Sequence, residues 1–482
     1  MKHHISEKRQ PLRRTVIYVF MTSVVAILVT IMMLILLGFT INQDEGRVEQ
    51  GSLLQLASSP SGADVYIDGK DVGSKTNTKR TVSVSEHTID FSLEKYHTWT
   101  KSINPTAGQV VWVNYARLVP TVLTPSTVKT FENVANMSVS PKRSYILMQE
   151  KIDLPKFQLV DVRLDEVKTV DVVLPENILS IPSSGSQRLS IVSWSDNEKL
   201  VLIRNNFGKQ VEWLVLNREN PDESINLNKS FAINPDEVVF AGKSDQRLFI
   251  SVDGVVSRIN TTNESISEPL ATNVDDFSSL NVDTIVYTSL PNELNVRVAG
   301  YSSVDFSKQQ VIRTYNVKKR PFFVAMSMYF NKQYVAVIRD NQLVVDTGAF
   351  ATPSSNPELK RIFSREIPTG VKKLTMSVNG RFALIEYADK YAVYDIELDE
   401  YHQTAWQYMA KTQRSVKWLD DYIVWSDNGG ILRMYDFDGA NQHDVMEVTE
   451  GFSASLGGGG KYMYGLLKTS EGFELRRVKM LL

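Results

Sequence analysis

The residues that come nearest to a chemical motif in this chain are a glycine run ahead of a lysine, Gly457–Gly460 and Lys461. A phosphate-cradling loop needs a glycine five residues before its Gly-Lys pair and a hydroxyl residue after it. Ser455 and Tyr462 occupy those places, so the run reads as a flexible hairpin turn. Asp436, Asp438 and Gly439 begin like a calcium loop, but the ANQHDV that follows supplies neither the further oxygen ligands nor a distal bidentate acid. The six histidines, His3, His4, His87, His97, His402 and His443, show no metal-ligand spacing, and His87 and His97 read as surface residues flanking one strand. The absence of cysteine removes disulfides, thiolate metal sites and thiol nucleophiles together. No G-x-S-x-G elbow occurs, and Ser186 after Gly185 lies in a Ser/Pro-rich connector. The expectation is no catalytic residue, no metal ligand and no cofactor. A triad of distant residues stays open, because triads are defined by geometry.

Aromatic residues are the remaining lead. Tyr96, Trp99, Trp112 and Tyr115 fall close together in a strand-rich segment and could form an exposed platform for a protein or a sugar. Core packing is the plainer account of the same residues. Trp194, Trp213, Trp418 and Trp425 fall in later strands, where packing is again the simplest reading.

The elements that must position these residues begin with 29 consecutive uncharged residues, Thr15 to Gln43. The most apolar part, Val16 to Phe39, would reach about 36 Å as a helix, enough to cross a bilayer. Lys2, Lys8, Arg9, Arg13 and Arg14 precede it against one acid, Glu7. The expectation is a basic tail over 1–14 on the cytoplasmic side, a transmembrane helix over 15–43, a linker over 44–51, and everything later outside. A cleaved signal has a shorter apolar region and a small-residue cleavage site, which LLGFTINQDEG lacks.

Residues 52–120 read as short strands. Asp68-Gly69 sits between apolar alternations, a strong hairpin signal because both residues tolerate positive φ. Ile89, Phe91 and Leu93 alternate with Asp90, Ser92 and Glu94, which predicts one buried and one wet face. The segment resembles the PEGA domain through Pro60-Ser61-Gly62-Ala63, Val65-Tyr66-Ile67-Asp68-Gly69, Gly73, Tyr96 and Trp99. Ser61 stands where the family has Glu, Lys75-Thr76-Asn77 replaces its Thr-Pro, and Lys95 replaces the Gly before the central Tyr. The resemblance implies a small β-sandwich that works as an envelope-associated interaction module without enzymatic activity.

From Thr121 onward one unit recurs: a short apolar strand, a polar turn, then a strongly apolar strand. It starts at Asn136, Ile191, Glu237, Phe323, Lys373, Ser415 and Phe452, with a weaker copy over Asn281 to Tyr301. Several units continue into a third strand closed by an acid, as in QLVVDTG and YAVYDIE. The spacing matches four-stranded blades. The last unit lacks a strand, which Val128–Val134 could supply to close the ring. Residues 121–482 are therefore expected to form a seven- or eight-bladed β-propeller whose acid-turn blades resemble TolB-type propellers, with stacked β-sandwiches as the alternative.

The chain is 22% charged and 43% apolar, values of a folded protein. Beyond the basic tail it carries 48 basic and 54 acidic residues with no basic block, which argues against nucleic acid. The expected function is a membrane-anchored, non-enzymatic binding or scaffold protein of the bacterial cell envelope. Its partner would be an envelope protein or a wall or surface polysaccharide, docked on the small domain and the propeller loops. The alternative is a membrane-tethered hydrolase or lyase in the propeller channel, which a ring of carboxylates would favour.

Overall fold

The computed structural model describes residues 9–36, 38–42, 47–180, 187–306, 309–316, 322–349, 358–406 and 416–482. Ser186 and most of the basic tail lie outside the described residues. The chain divides into two compact units, residues 1–122 and 123–482.

The first unit begins with α1 (Arg9–Leu36). Its segment Arg14–Leu34 has a mean hydropathy of 2.5 and none of its residues is buried in the protein, and it is long and apolar enough to cross a membrane. The helix stops seven residues short of the expected end at Gln43. Gly38 turns the chain at φ +80°, and the β-prone Phe39–Asn42 then pairs antiparallel with Arg47–Gln50. The second of these strands takes up part of the segment expected to be a linker.

The small domain is a sandwich of two sheets. In the three-stranded sheet, Ser52–Ser59 lies between Thr78–Val82, antiparallel to it, and Val110–Arg117, parallel to it. The four-stranded sheet runs Lys70–Lys75, Asp64–Ile67, His87–Ser92, Trp99–Ile103. Alternation decides which side chains meet between the sheets: Leu54 and Leu56, Ile89 and Phe91, Trp99 and Ile103, Val111 and Val113 are all buried. The Asp68-Gly69 turn has φ of 53° and 74° at its two residues, as a tight hairpin of this type requires.

The second unit consists of eight four-stranded antiparallel sheets among the described residues. Seven use four consecutive strands. Their innermost strands are Asn136–Val139, Gln187–Trp194, Glu237–Phe240, Val274–Ser279, Phe322–Tyr329, Lys373–Met376 and Lys417–Trp418. The eighth runs inward from Ser126–Phe131 through Gly472–Lys479 and Tyr462–Thr469 to Ser455–Gly457. The strand ahead of the first full unit thus completes the last sheet, pairing Ser126 with Arg477 and Phe131 with Phe473.

The core lies between successive sheets. Leu147 and Phe157 of the first sheet pack with Trp194 and Leu214 of the second, and Ala336 and Val345 of the fifth with Ala383 and Tyr394 of the sixth. Phe382 of the sixth stacks on Phe437 of the seventh at 4.4 Å. Ile146 and Val160 of the first sheet meet Tyr464 and Leu475 of the eighth, which closes the ring. This topology is a β-propeller.

The recurring polar turn has a physical cause. The hydroxyls of Ser140, Ser195 and Ser377 each accept the N–H five residues on, from Tyr145, Leu200 and Phe382 at 3.0, 2.9 and 2.9 Å. Gly380 shows how tightly neighbouring sheets meet there. Its φ is +79°, and a Cβ would stand 2.3 Å from the Met328 carbonyl oxygen of the adjacent sheet.

Candidate binding sites on the small domain and the propeller

The four small-domain aromatics do not form one exposed platform. Trp99 and Tyr115 are core residues: Trp99 stacks on Phe91 at 5.2 Å and meets Tyr115 edge-on at 5.8 Å. Trp112 is 36% exposed on the opposite face of its strand, and Tyr96 is half-buried beside Pro120. Strand parity separates them, because Val111, Val113 and Tyr115 point inward and Val110, Trp112 and Asn114 outward. Only Trp112 and Tyr96 keep a wet surface. His87 also departs from expectation: it shares the inward parity of Ile89 and Phe91 and is buried, while His97 is exposed. Its Nδ1 lies 2.7 Å from Asp68 Oδ2, so the turn acid ties the hairpin to this strand.

On the axis side of the propeller, the innermost strands of the fourth, fifth and sixth sheets line an opening of about 570 Å³. Asp276 and Lys373 are its charged residues, and serines and Met326, Met328 and Met376 make much of the rest. Glu237 on the neighbouring inner strand is pushed above the usual carboxylate range, first by desolvation and then by repulsion from Asp276. The described residues thus place two acids here and no ring. At the rim, Met328, Phe330 and Val378 are exposed, Phe330 at 74% and Val378 at 93%. Among the described residues no group of three or more His, Asp or Glu is placed to hold a metal.

The remaining motif candidates are turns. Gly458–Gly460 all take positive φ between two strands, and Gly457 packs on Val162. Asp436 accepts the Gly439 N–H at 2.8 Å and binds the Asn441 amide through its carboxylate at 2.8 Å.

Two arginine–aspartate clusters occupy adjacent sheets. In the sixth, Arg381 donates Nε and Nη2 to the two oxygens of Asp395 at 2.8 and 2.6 Å, and its Nη1 lies 2.7 Å from Glu397. Tyr329 of the fifth sheet donates its hydroxyl to the same Glu397 carboxylate, so the cluster bridges two sheets. Arg381 and Asp395 are both fully buried. In the fifth sheet, Asp346 is equally buried, but its partners are Arg313 at 3.1 Å, from the outermost strand of the fourth sheet, and Arg361 at 3.4 Å, both half-open to solvent. Asp346 was expected to end its strand; the strand instead runs Gln342–Ala349 with Asp346 inside it. Sequence reading missed this cluster, because its arginines come from two strands separated by the rest of a sheet.

Residues 52–120 match the PEGA domain family. The small domain is a PEGA domain. No curated protein matches the chain in sequence. The Dos1 propeller is 12% identical over 74% of this chain and 95% of its own, with a TM-score of 0.42. The β-propeller domain of Cps50 (Swd1) from Myceliophteria thermophila is 7% identical over 68% and 100%, with a TM-score of 0.41. An oligogalacturonate lyase in complex with manganese is 10% identical over 73% of this chain and 98% of its own, with a TM-score of 0.38. Such distant likenesses say nothing about what this chain binds, and the propeller assignment rests on its own strand order.

The PEGA domain absorbs its two unusual turn residues without losing its frame. Lys95, standing where the family has glycine, takes φ of 70°, the left-handed conformation glycine adopts most easily. Thr76, in the Lys75-Thr76-Asn77 departure, is buried and accepts the N–H groups of Gly62 and Ala63 at 3.0 and 3.1 Å. Its hydroxyl therefore holds the Pro60–Ala63 signature loop in place.

Proposed function

We propose that the chain is a membrane-anchored binding or scaffold protein of the bacterial envelope, without enzymatic activity of its own. The apolar helix lies in the bilayer with its basic flank in the cytoplasm, and the PEGA domain and propeller stand outside. A protein of the envelope docks on the propeller rim around Met328, Phe330 and Val378. The observation that carries this reading is the exposure of these large apolar side chains beside an opening lined by scattered polar groups. Exposed aromatic and methionine side chains clustered at a concave rim are what protein interfaces use as anchors. The helix confines the protein to the membrane plane and so raises its effective concentration for partners there.

Crosslinking in intact cells, followed by purification of the full chain, tests this directly. One stoichiometric envelope protein is expected with the wild type and at least a tenfold lower yield with a Phe330→Asp, Val378→Asp chain. Equal recovery from both would sink the rim as the docking site. Added protease should cleave beyond Gly51 in cells whose wall has been made permeable.

A second reading draws on Glu237 and Asp276. An acid raised above its usual range beside a second carboxylate is the pairing that glycoside hydrolysis employs. Turnover of a wall or surface polysaccharide by the purified chain, abolished by Glu237→Gln, would favour that reading.

A further inference from the structure

Half-open arginines of the fourth and fifth sheets line a groove of about 450 Å³ that the rim reading does not use. Arg313, Tyr315, Arg339, Gln342 and Arg361 form its walls, between the outermost strand of the fourth sheet (Gln310–Asn316) and the outer three strands of the fifth. Two β-bulges aim the arginines inward. Register slips at Ala299/Gly300, leaving Ile312 as the extra residue beside Arg313, and at Val345/Asp346, leaving Ile362 beside Arg361. Each bulge sends an isoleucine toward an inter-sheet core and its arginine neighbour to Asp346. Bulges cost ladder hydrogen bonds, and here two of them, in adjacent sheets, converge on one carboxylate.

Three guanidinium groups line the groove, with the acids Asp346, buried, Asp340, 3.5 Å from Arg339, and Glu366, paired across the strands with Gln342, around it. The planar forks still hold more N–H donors than their contacts with Asp346 and Asp340 occupy. Burial holds the Tyr315 phenol protonated up to about 12, so it too is a donor at neutral pH.

We propose that this groove binds a phosphate group carried on a flexible phosphodiester chain. Converging guanidinium forks suit a tetrahedral oxyanion. A groove between two sheets admits a single chain, whereas lipid headgroups form a flat array that such a concave site meets poorly. The site is separate from the Met328–Phe330–Val378 rim, so either can fail without the other.

The test uses the full chain in nanodiscs of net-neutral lipid, titrated calorimetrically with oligo(glycerol phosphate) at low salt. Arg339→Gln and Arg361→Gln are each expected to weaken binding at least tenfold, the first with an unchanged unfolding midpoint and the second with only a small drop in it, whereas Arg365→Gln leaves binding unchanged, because Arg365 stacks on Tyr401 instead. Binding should fall steeply with added salt. Uncharged polyglycerol should not bind, and inorganic phosphate should compete only weakly. Should Arg361→Gln fail to fold, Arg339→Gln, at the open edge of the groove, decides alone. Undiminished oligomer binding by Arg339→Gln would overturn the proposal. Arg339-dependent binding to phosphatidylglycerol vesicles without oligomer binding would also overturn it, in favour of a lipid.

Discussion

The fifth and sixth sheets of the propeller each bury an aspartate against arginine, yet the two clusters are built for different ends. Asp395 meets Arg381 face to face, both sealed from water, while Glu397 takes up Nη1 of Arg381 and accepts the Tyr329 hydroxyl. Asp346 is sealed too, but its arginines reach it from half-exposed positions on two sheets. The first arrangement fixes how two sheets pack. The second leaves guanidinium donors facing solvent, which is the condition for recognising something outside the protein.

The largest effect should come from breaking the closed cluster. Arg381→Ala strands Asp395 and Glu397 without their cation in the interior, and removing one member of a buried pair typically costs about 3–5 kcal/mol. Urea unfolding of the full chain in detergent should show this loss. A cost below about 1 kcal/mol would mean that Arg381 does not hold the sheets together.

The same change in the open cluster should be mild. Arg361 is half in water and Asp346 keeps Arg313, so Arg361→Gln should cost under about 1 kcal/mol in the same assay. The contrast between the clusters collapses if the two substitutions prove equally damaging.

A pair in the first sheet extends the contrast to acid pH. Arg163 donates to Asp161 and holds that carboxyl below its usual range, chiefly through the hydrogen bond. A carboxyl lowered in the folded state stabilises above its unfolded value, near 4, and loses that contribution as pH falls through the folded value. Arg163→Gln should therefore be less stable than wild type at neutral pH, by under about 1 kcal/mol given the exposure of Arg163, with the gap closing as pH drops below about 4. Denaturant midpoints from pH 7 to pH 3 measure it.

How far these clusters could be read from sequence depends on how local they are. The propeller was legible because its signals repeat within a few residues: the Ser-centred turn, the apolar strand after it, and the spare strand at Ser126–Phe131 that the last sheet needed. The PEGA domain was legible from its signature loop and hairpin. Strand parity could also have separated Trp112 from the core, since Asn114 marks its face as wet. For Trp99 the pattern is obscured by Lys101, a charged residue buried on the same face. His87 looked like a surface residue because nothing local announces Asp68 as its partner 19 residues away. The Asp346 groove was out of reach for the same reason in stronger form. Its arginines lie 33 residues before Asp346 and 15 after it, and both reach it through bulges that no alternation pattern encodes.

The smallest effect comes from an acid that has no arginine at all. Glu237 faces Asp276 in the channel and has no ion-pair partner among the described residues, and desolvation followed by that repulsion raises its carboxyl. The sign is opposite to Asp161. A carboxyl raised in the folded state binds its proton more tightly there, so stability declines as pH climbs from the unfolded value, near 4, through the folded one. Glu237→Gln should then be more stable than wild type at neutral pH, and the advantage should vanish below about pH 4. Because Glu237 is open to channel water, screening limits the gain to roughly a few tenths of a kcal/mol. A variant less stable at neutral pH would show that Glu237 has a favourable partner. If the relief appears with no change in partner capture, the acid pair contributes neither to the fold nor to the rim, and retention of an unfavourable carboxylate becomes an argument for chemistry in the channel.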